Sequence, residues 1–124
     1  MMLTNFYDIK SKYIEGTTAK YTISFNSEHL IYAAHFPDNP ITPGVCLIQI
    51  CKELTESMLG EPLFLQTVKN VKFLKIIIPN ESPDVNVSIS AIKQGLEYKV
   101  NAVISDDNET VFAKLSLIFQ VINL

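Results

Sequence analysis

Residues 42–60 read Thr42-Pro43-Gly44-Val45-Cys46-Leu47-Ile48-Gln49-Ile50-Cys51-Lys52-Glu53-Leu54-Thr55-Glu56-Ser57-Met58-Leu59-Gly60, and the reading of this stretch decides the fold. Threonine is a good N-cap, proline suits the first helical position because its missing N–H is not needed there, and glycine ends helices readily. The segment therefore predicts a helix from Pro43 to Leu59, with Gly60 as its stop. Its first half (Val45, Cys46, Leu47, Ile48, Ile50, Cys51) is apolar nearly all round. Its second half (Lys52, Glu53, Thr55, Glu56, Ser57) is polar, with Leu54 and Met58 continuing one stripe. A helix that is apolar on every side is a buried one. This one is expected to enter the protein N-terminal end first, covered from several directions.

The cover comes from strands. Ala19, Tyr21, Ile23 and Phe25 alternate with Lys20, Thr22 and Ser24, a period of two with one apolar face. Leu63 to Ile78 gives a strand or a bent pair, and Val85, Val87 and Ile89 alternate with Asn86, Ser88 and Ser90. Leu96 to Ile104 and Val111 to Val121 alternate again, with turns at Lys93-Gln94-Gly95 and at Asp106 to Glu109. Consecutive hairpins predict an antiparallel sheet. The first sixteen residues read as a short helix or turn, and Pro37, Pro40 and Pro43 exclude regular structure between them. The fold class is α+β, with a curled antiparallel sheet wrapped round one long central helix.

At 124 residues the chain is expected to form one domain over residues 1–124, since two halves would each be too small for a sizeable core. Apolar residues at 48% against 19% charged argue against disorder, and a net charge of −3 argues against a general nucleic-acid binder while leaving room for a local basic patch. No apolar run approaches the roughly 20 residues that cross a bilayer, so no membrane insertion is expected. Met1-Met2-Leu3-Thr4-Asn5 has neither a basic cap nor a hydrophobic signal core, which predicts a cytoplasmic protein. Cys46 and Cys51 lie about 140° apart around the predicted helix and cannot bridge each other there. Two cysteines without nearby histidine ligands make no zinc site.

The chemistry is concentrated just before the helix, in His35-Phe36-Pro37-Asp38-Asn39-Pro40-Ile41-Thr42-Pro43-Gly44-Val45. Phe36 precedes a proline and is expected to be extended, which holds the backbone of His35 stiffly beside the start of the helix. There the first N–H groups lack helical partners, and the helix dipole adds partial positive charge. Thr42 is expected to cap the Val45 N–H, leaving the unshielded Gly44 N–H as the better donor. A histidine that takes a proton, beside backbone donors that stabilise a developing oxyanion, suits enolisation of a thioester. His29 has no such context and reads as structural. Phe6, Tyr7, Tyr32 and Phe64 read as core or dimer packing, with acyl-pocket lining as the alternative.

This stretch closely resembles the signature of the hot-dog-fold (3R)-hydroxyacyl-acyl-carrier-protein dehydratases. Their motif is a histidine, Phe-Pro, a glycine and a second histidine, Pro, two apolar residues, and Pro-Gly-Val opening the central helix. Lys69-Asn70-Val71-Lys72-Phe73-Leu74-Lys75 is similar to the family's basic-apolar strand after the helix. The resemblance implies the hot-dog fold and places the catalytic histidine on His35. It puts the amide that holds the thioester carbonyl on Gly44, with Phe36, Pro43 and Val45 against the substrate. The family's acid lies fourteen positions past the histidine, where this chain has Gln49. An amide does not transfer a proton at neutral pH, but it can fix a water or a hydroxyl. Asp38 and Asn39 replace the glycine and second histidine, and both tolerate left-handed backbone.

The function the resemblance implies is a lyase of fatty acid or related lipid synthesis. It would remove water from a (3R)-hydroxyacyl thioester on acyl carrier protein to give the trans-2-enoyl thioester. No metal or bound cofactor is implied, because the substrate carries its own phosphopantetheine. The expected assembly is a homodimer or larger homo-oligomer in which His35 and Gln49 come from different subunits. On a strand Lys69 and Lys75 would share a face, either simply solvated or a contact for the acidic carrier. Two alternatives stay open. One is a non-catalytic acyl-binding or partner subunit of the same fold, motivated by Gln49. The other is a hot-dog acyl thioesterase, which would need a carboxylate or water-activating group near the thioester carbon.

Overall fold

Alternating apolar side chains dictate where the sheet lies. The computed structural model describes residues 3–122, so the reading made of Met1 and Met2 lies outside the described residues. Its strands are β1 (Tyr7–Glu15), β2 (Thr18–Phe25), β3 (Leu63–Phe73), β4 (Asp84–Gln94), β5 (Glu97–Ser105) and β6 (Val111–Val121). Its helices are α1 (Leu30–Ala34) and α2 (Gly44–Leu59). The strands form one sheet in the order β1-β2-β4-β5-β6-β3, every neighbouring pair antiparallel. Each strand of its middle turns one row inward. Tyr21 and Ile23, Val85 and Val87, Val100 and Ile104, and Leu117 and Phe119 are all buried. From α2 the sheet receives Cys46, Leu47, Ile50, Cys51, Leu54 and Thr55. Each fully buried aliphatic or aromatic side chain stabilises the fold by about 1.5–3 kcal/mol, so this inner layer holds the helix inside the curl.

Two hairpins are tight because a glycine opens each loop. Gly16 (φ 61°) follows the Glu15–Thr18 pair, and Gly95 (φ 64°) follows Gln94, which pairs with Glu97. Between β5 and β6 the Asp106 carboxylate accepts from the N–H groups of Asn108 and Thr110, both at 2.9 Å.

Three expectations are corrected. The first sixteen residues contain strand β1, not a helix or turn. Its pattern was obscured because it is an edge strand, exposed along nearly its whole length, with a register shift between Ile9 and Ser11. Strand β3 stops at Phe73 rather than running on to Ile78, because the N–H groups of Leu74 and Lys75 both turn to the Phe112 carbonyl, at 2.8 and 3.2 Å. Residues 74–78 become a strap beside the start of α2. Helix α2 itself opens at Gly44, one residue later than expected. Of the four aromatic residues, Phe6 and Tyr32 are core and their rings stack at 5.1 Å, while Phe64 is exposed.

Candidate active site

Helix α1 ends at His35, where the stretch singled out in the sequence begins. His29 caps it, with Nδ1 accepting from the Ile31 N–H at 3.0 Å and Nε2 donating to the Thr4 carbonyl at 2.9 Å. Both ring nitrogens are occupied, so His29 is structural. His35 forms the C-terminal cap: its N–H donates to the carbonyls of Ile31 and Tyr32 at 3.0 and 3.2 Å. Its own carbonyl accepts from the Ile41 N–H at 2.9 Å. Between these anchors Phe36 and Asn39 exchange N–H to carbonyl bonds in both directions, at 3.1 and 3.2 Å, which closes the turn through Pro37 and Asp38. The His35–Phe36 peptide is cis. The imidazole is exposed and makes no hydrogen bond among the described residues. Its backbone is pinned on both sides while its ring is free.

From Ile41 the chain reaches α2 through Thr42, which is buried and doubly held. Its N–H donates to the Ile77 carbonyl at 2.9 Å, and its hydroxyl shares a 2.8 Å hydrogen bond with the phenol of Tyr32. Burial pushes that phenol up to about 12, with the Thr42 contact opposing the shift. Thr42 is thus not the N-cap. Pro43 occupies that place (φ −63°, ψ 142°) and offers no side chain to the helix. In consequence the N–H groups of both Gly44 and Val45 have no partner among the described residues. The first turn presents two donors, not one.

Beside those donors lies a cavity of about 390 Å³, bounded by Pro43, Gly44 and Leu47 on one side and by Phe73 and the strap to Ile77 on the other. Its walls are mainly apolar. Gly44 is required here for a reason the sequence does not show: a Cβ on it would lie 2.6 Å from Cζ of Phe73. Phe36 and Val45 stand exposed, at 56% and 62%, outside the cavity lining. His35 also lies outside the lining, on the loop that leads into it.

Gln49 is five residues beyond Gly44, about 140° round the helix. One chain therefore does not bring it to the cavity. Its Nε2 donates to Glu53 Oε2 at 2.9 Å, so the partner an amide needs among apolar neighbours is Glu53. That carboxylate also accepts from the Leu3 N–H at 3.1 Å and from the Tyr7 hydroxyl at 3.0 Å. Burial, with the neighbouring Glu53 charge, drives the Tyr7 phenol well above its ordinary value. The sequence reading gave Phe73 no place at the site and Tyr32 only an alternative one, and read residues 74–78 as strand. Glu53 was visible only as a residue one turn from Gln49. The lysine reading is corrected too. Lys75 lies beyond the end of β3, and Lys69 falls at a register shift between Val68 and Asn70. The pair that faces across strands is Lys72 and Lys114.

Cys46 and Cys51 are free and buried, and burial raises both thiols, Cys51 to about 12. Among the described residues no group of three or more His, Cys, Asp or Glu could hold a metal ion. Nor is any helix among them long and apolar enough to cross a membrane.

The model of the ApeI-like family, described as ApeI dehydratase, matches residues 11–114. The chain belongs to the ApeI-like dehydratase family. Among curated relatives of this ApeI-like chain is the 3-hydroxyacyl-[acyl-carrier-protein] dehydratase FabZ of Wolbachia pipientis wMel. It is 29% identical over 106 residues, covering 79% of this chain and 72% of the relative. Among solved structures, the dehydratase heterocomplex ApeI:P from Xenorhabdus doucetiae superposes with a TM-score of 0.73 at 13% identity, covering 91% of this chain and 96% of that one. A hypothetical thioesterase protein with coenzyme A from Streptococcus pneumoniae TIGR4 gives 0.70 at 12% identity, covering 98% and 91%. At such identities the structures speak for the fold alone, and that fold is the hot-dog.

Proposed function

We propose that this chain is a dehydratase that converts a (3R)-hydroxyacyl thioester, carried on acyl carrier protein, to the trans-2-enoyl thioester. What supports the reading is a free imidazole on a pinned backbone, nine residues before a helix start whose first N–H groups are unpartnered and lie beside an apolar cavity. The thioester carbonyl would accept from the Gly44 N–H, which lowers the cost of the enolate-like oxygen that develops when His35 takes the C2 proton. The C3–O bond then breaks and the C2–C3 double bond forms. His35 returns its proton to the departing hydroxyl, which leaves as water. No metal or bound cofactor enters, and the phosphopantetheine arm arrives with the substrate.

Gln49 would complete the site from a second subunit. Strand β3 supports an assembly, because it is a sheet edge and Phe64, Val68 and Phe73 on it are about half exposed. An apolar edge with open backbone groups favours pairing with another edge. A homodimer joined there, with the α2 helices side by side, is the assembly proposed. Incubation with 3-hydroxyacyl carrier protein should yield the enoyl product, and His35→Ala should abolish it. Equal turnover by the two proteins refutes the role given to His35.

Gln49 also favours a second reading, a non-catalytic subunit that needs a different partner to supply the acid. Losing a general acid costs about 10²- to 10⁴-fold in rate. An inactive parent that gains dehydration with Gln49→Glu would establish that reading. Release of free thiol from acyl thioesters without enoyl product would instead establish a thioesterase.

A further inference from the structure

Glu53 has no part in the reaction just described, yet it gathers donors from three places in the chain. Oε2 accepts from Gln49 Nε2 at 2.9 Å and from the Leu3 N–H at 3.1 Å, and Oε1 accepts from the Tyr7 hydroxyl at 3.0 Å. The last two partners are 50 and 46 residues away in sequence: Leu3 precedes β1 and Tyr7 is its first residue. A carboxylate only accepts, so the amide of Gln49 must turn its nitrogen towards Glu53 and its oxygen away. An isolated pair at this spacing on a helix surface is weak and swings freely. Here Leu3 and Tyr7 hold the carboxylate from the far side. Gln49 is clamped in one orientation, and its carbonyl oxygen has no partner among the described residues.

We propose that Glu53 is a positioning residue that fixes Gln49 as a hydrogen-bond acceptor, so that the site selects thioesters bearing an O–H at carbon 3 over those bearing a carbonyl there. The inference rests on the functional reading above, in which Gln49 meets the substrate of a second subunit. A 3-hydroxyl donates to the Gln49 oxygen. A 3-oxo group sets a second acceptor against it, leaving two lone-pair-bearing oxygens face to face without a proton between them. No bond is made or broken in this step. The selectivity comes from which end of the amide Glu53 leaves free.

The test uses the His35→Ala protein, so that the hydroxyacyl ligand is not consumed, with 3-hydroxyoctanoyl-pantetheine and 3-oxooctanoyl-pantetheine as probes. A mispaired buried polar contact corresponds to about 5- to 100-fold in affinity, and a preference of that size for the hydroxy probe is expected. Adding Glu53→Ala should bring the two affinities within about twofold of each other, because the freed amide turns to suit either ligand. Glu53→Gln keeps an acceptor oxygen and should keep most of the preference. Tyr7→Phe removes one of the two bonds that steady the carboxylate but leaves the Leu3 N–H and the Gln49 contact in place, so it should weaken the preference only in part. The side-chain amide signals of Gln49, assigned by their loss in Gln49→Glu, should exchange slowly with water in the parent and quickly in Glu53→Ala. The inference is overturned if Glu53→Ala retains the preference, if Tyr7→Phe loses as much of it, or if the amide signals ignore Glu53→Ala. Equal binding of both probes by the parent overturns the inference while the dehydratase reading stands. Binding of neither overturns both.

Discussion

Helix α2 carries a glycine at each end, and the two are needed for opposite reasons. At Gly60 the backbone is left-handed (φ 68°), and an added Cβ would meet nothing within 4 Å. At Gly44 the backbone is helical, and an added Cβ would strike the Phe73 ring. The surroundings differ in the same sense. At the C-terminal end the stop is hydrogen-bonded: the Gly60 N–H donates to the Glu56 carbonyl at 2.8 Å, and the Glu56 carboxylate accepts from the Leu63 N–H at 2.8 Å. Further in, the Tyr21 hydroxyl donates to the Leu54 carbonyl at 3.3 Å. At the N-terminal end two N–H groups remain open beside a cavity. One end is built to stop a helix, and the other to receive something.

The largest effect should come from the open end. His35→Ala is expected to reduce enoyl-thioester formation by about 10²- to 10⁴-fold. Stability should change by no more than about 0.5 kcal/mol, because an exposed ring without a hydrogen bond carries little of it. A thermal melt beside the rate assay separates the two. If stability falls with activity, the open end is structural and the contrast between the ends disappears. Gly44→Ala comes next. Its methyl group must displace the Phe73 ring, at a cost of about 1–3 kcal/mol for overpacking, and the displaced ring has the cavity to move into. Activity and melting temperature should fall together. Phe73→Leu in the same chain should restore the melting temperature, because it removes the ring that the methyl group meets.

Much of this asymmetry is legible in the sequence. The periodicity of Val45 to Met58 and the stop at Gly60 defined the helix, and the motif from His35 to Val45 pointed to the end beside which the cavity lies. The errors have physical causes. Thr42 has the right chemistry for an N-cap, but its hydroxyl is taken by Tyr32, ten residues earlier, in a buried contact that no local rule anticipates. Strand β1 was missed because alternation records burial, and an edge strand exposed on both faces has little to record. Residues 74–78 look like more strand by composition, and only the turn of two N–H groups to Phe112 takes them out of the sheet. The role of Glu53 depends on Leu3 and Tyr7, which reach it only after the chain has folded back.

Between the two ends the helix buries its middle, and pH offers a way to probe it. Cys51 is fully buried, and its thiol is raised from the ordinary 9.0 to about 12. Tyr32 is raised from 10.0 to about 12 as well. A group raised in the folded state stays neutral there while the unfolded chain ionises. The stability it contributes is whole below the unfolded value and is lost as pH climbs towards the folded one. Denaturation midpoints should therefore fall steadily from about pH 9 to pH 12. Cys51→Ala should start lower and fall less steeply over that range. A thiol reagent at pH 8 should label neither cysteine until the protein unfolds. Fast labelling of the native protein would show that the middle of the helix is as open as its start.

The smallest expected effect tests the closed end. In Gly60→Ala the new methyl group has room, so the whole cost is the left-handed backbone, about 1–2 kcal/mol for a residue with a Cβ. That corresponds to a fall of a few degrees in melting temperature. Because Gly60 lies at the far end of α2 from the cavity, the rate of dehydration at 25 °C should not change. Gly60→Asn should recover part of the loss, since asparagine tolerates the left-handed region better than alanine. No substitution of a neighbour can rescue Gly60→Ala, because no neighbour is in the way. Phe73→Leu, by contrast, should rescue the stability of Gly44→Ala. If a second-site change did restore Gly60→Ala, the cost would be one of space after all, and the two glycines would be doing the same job.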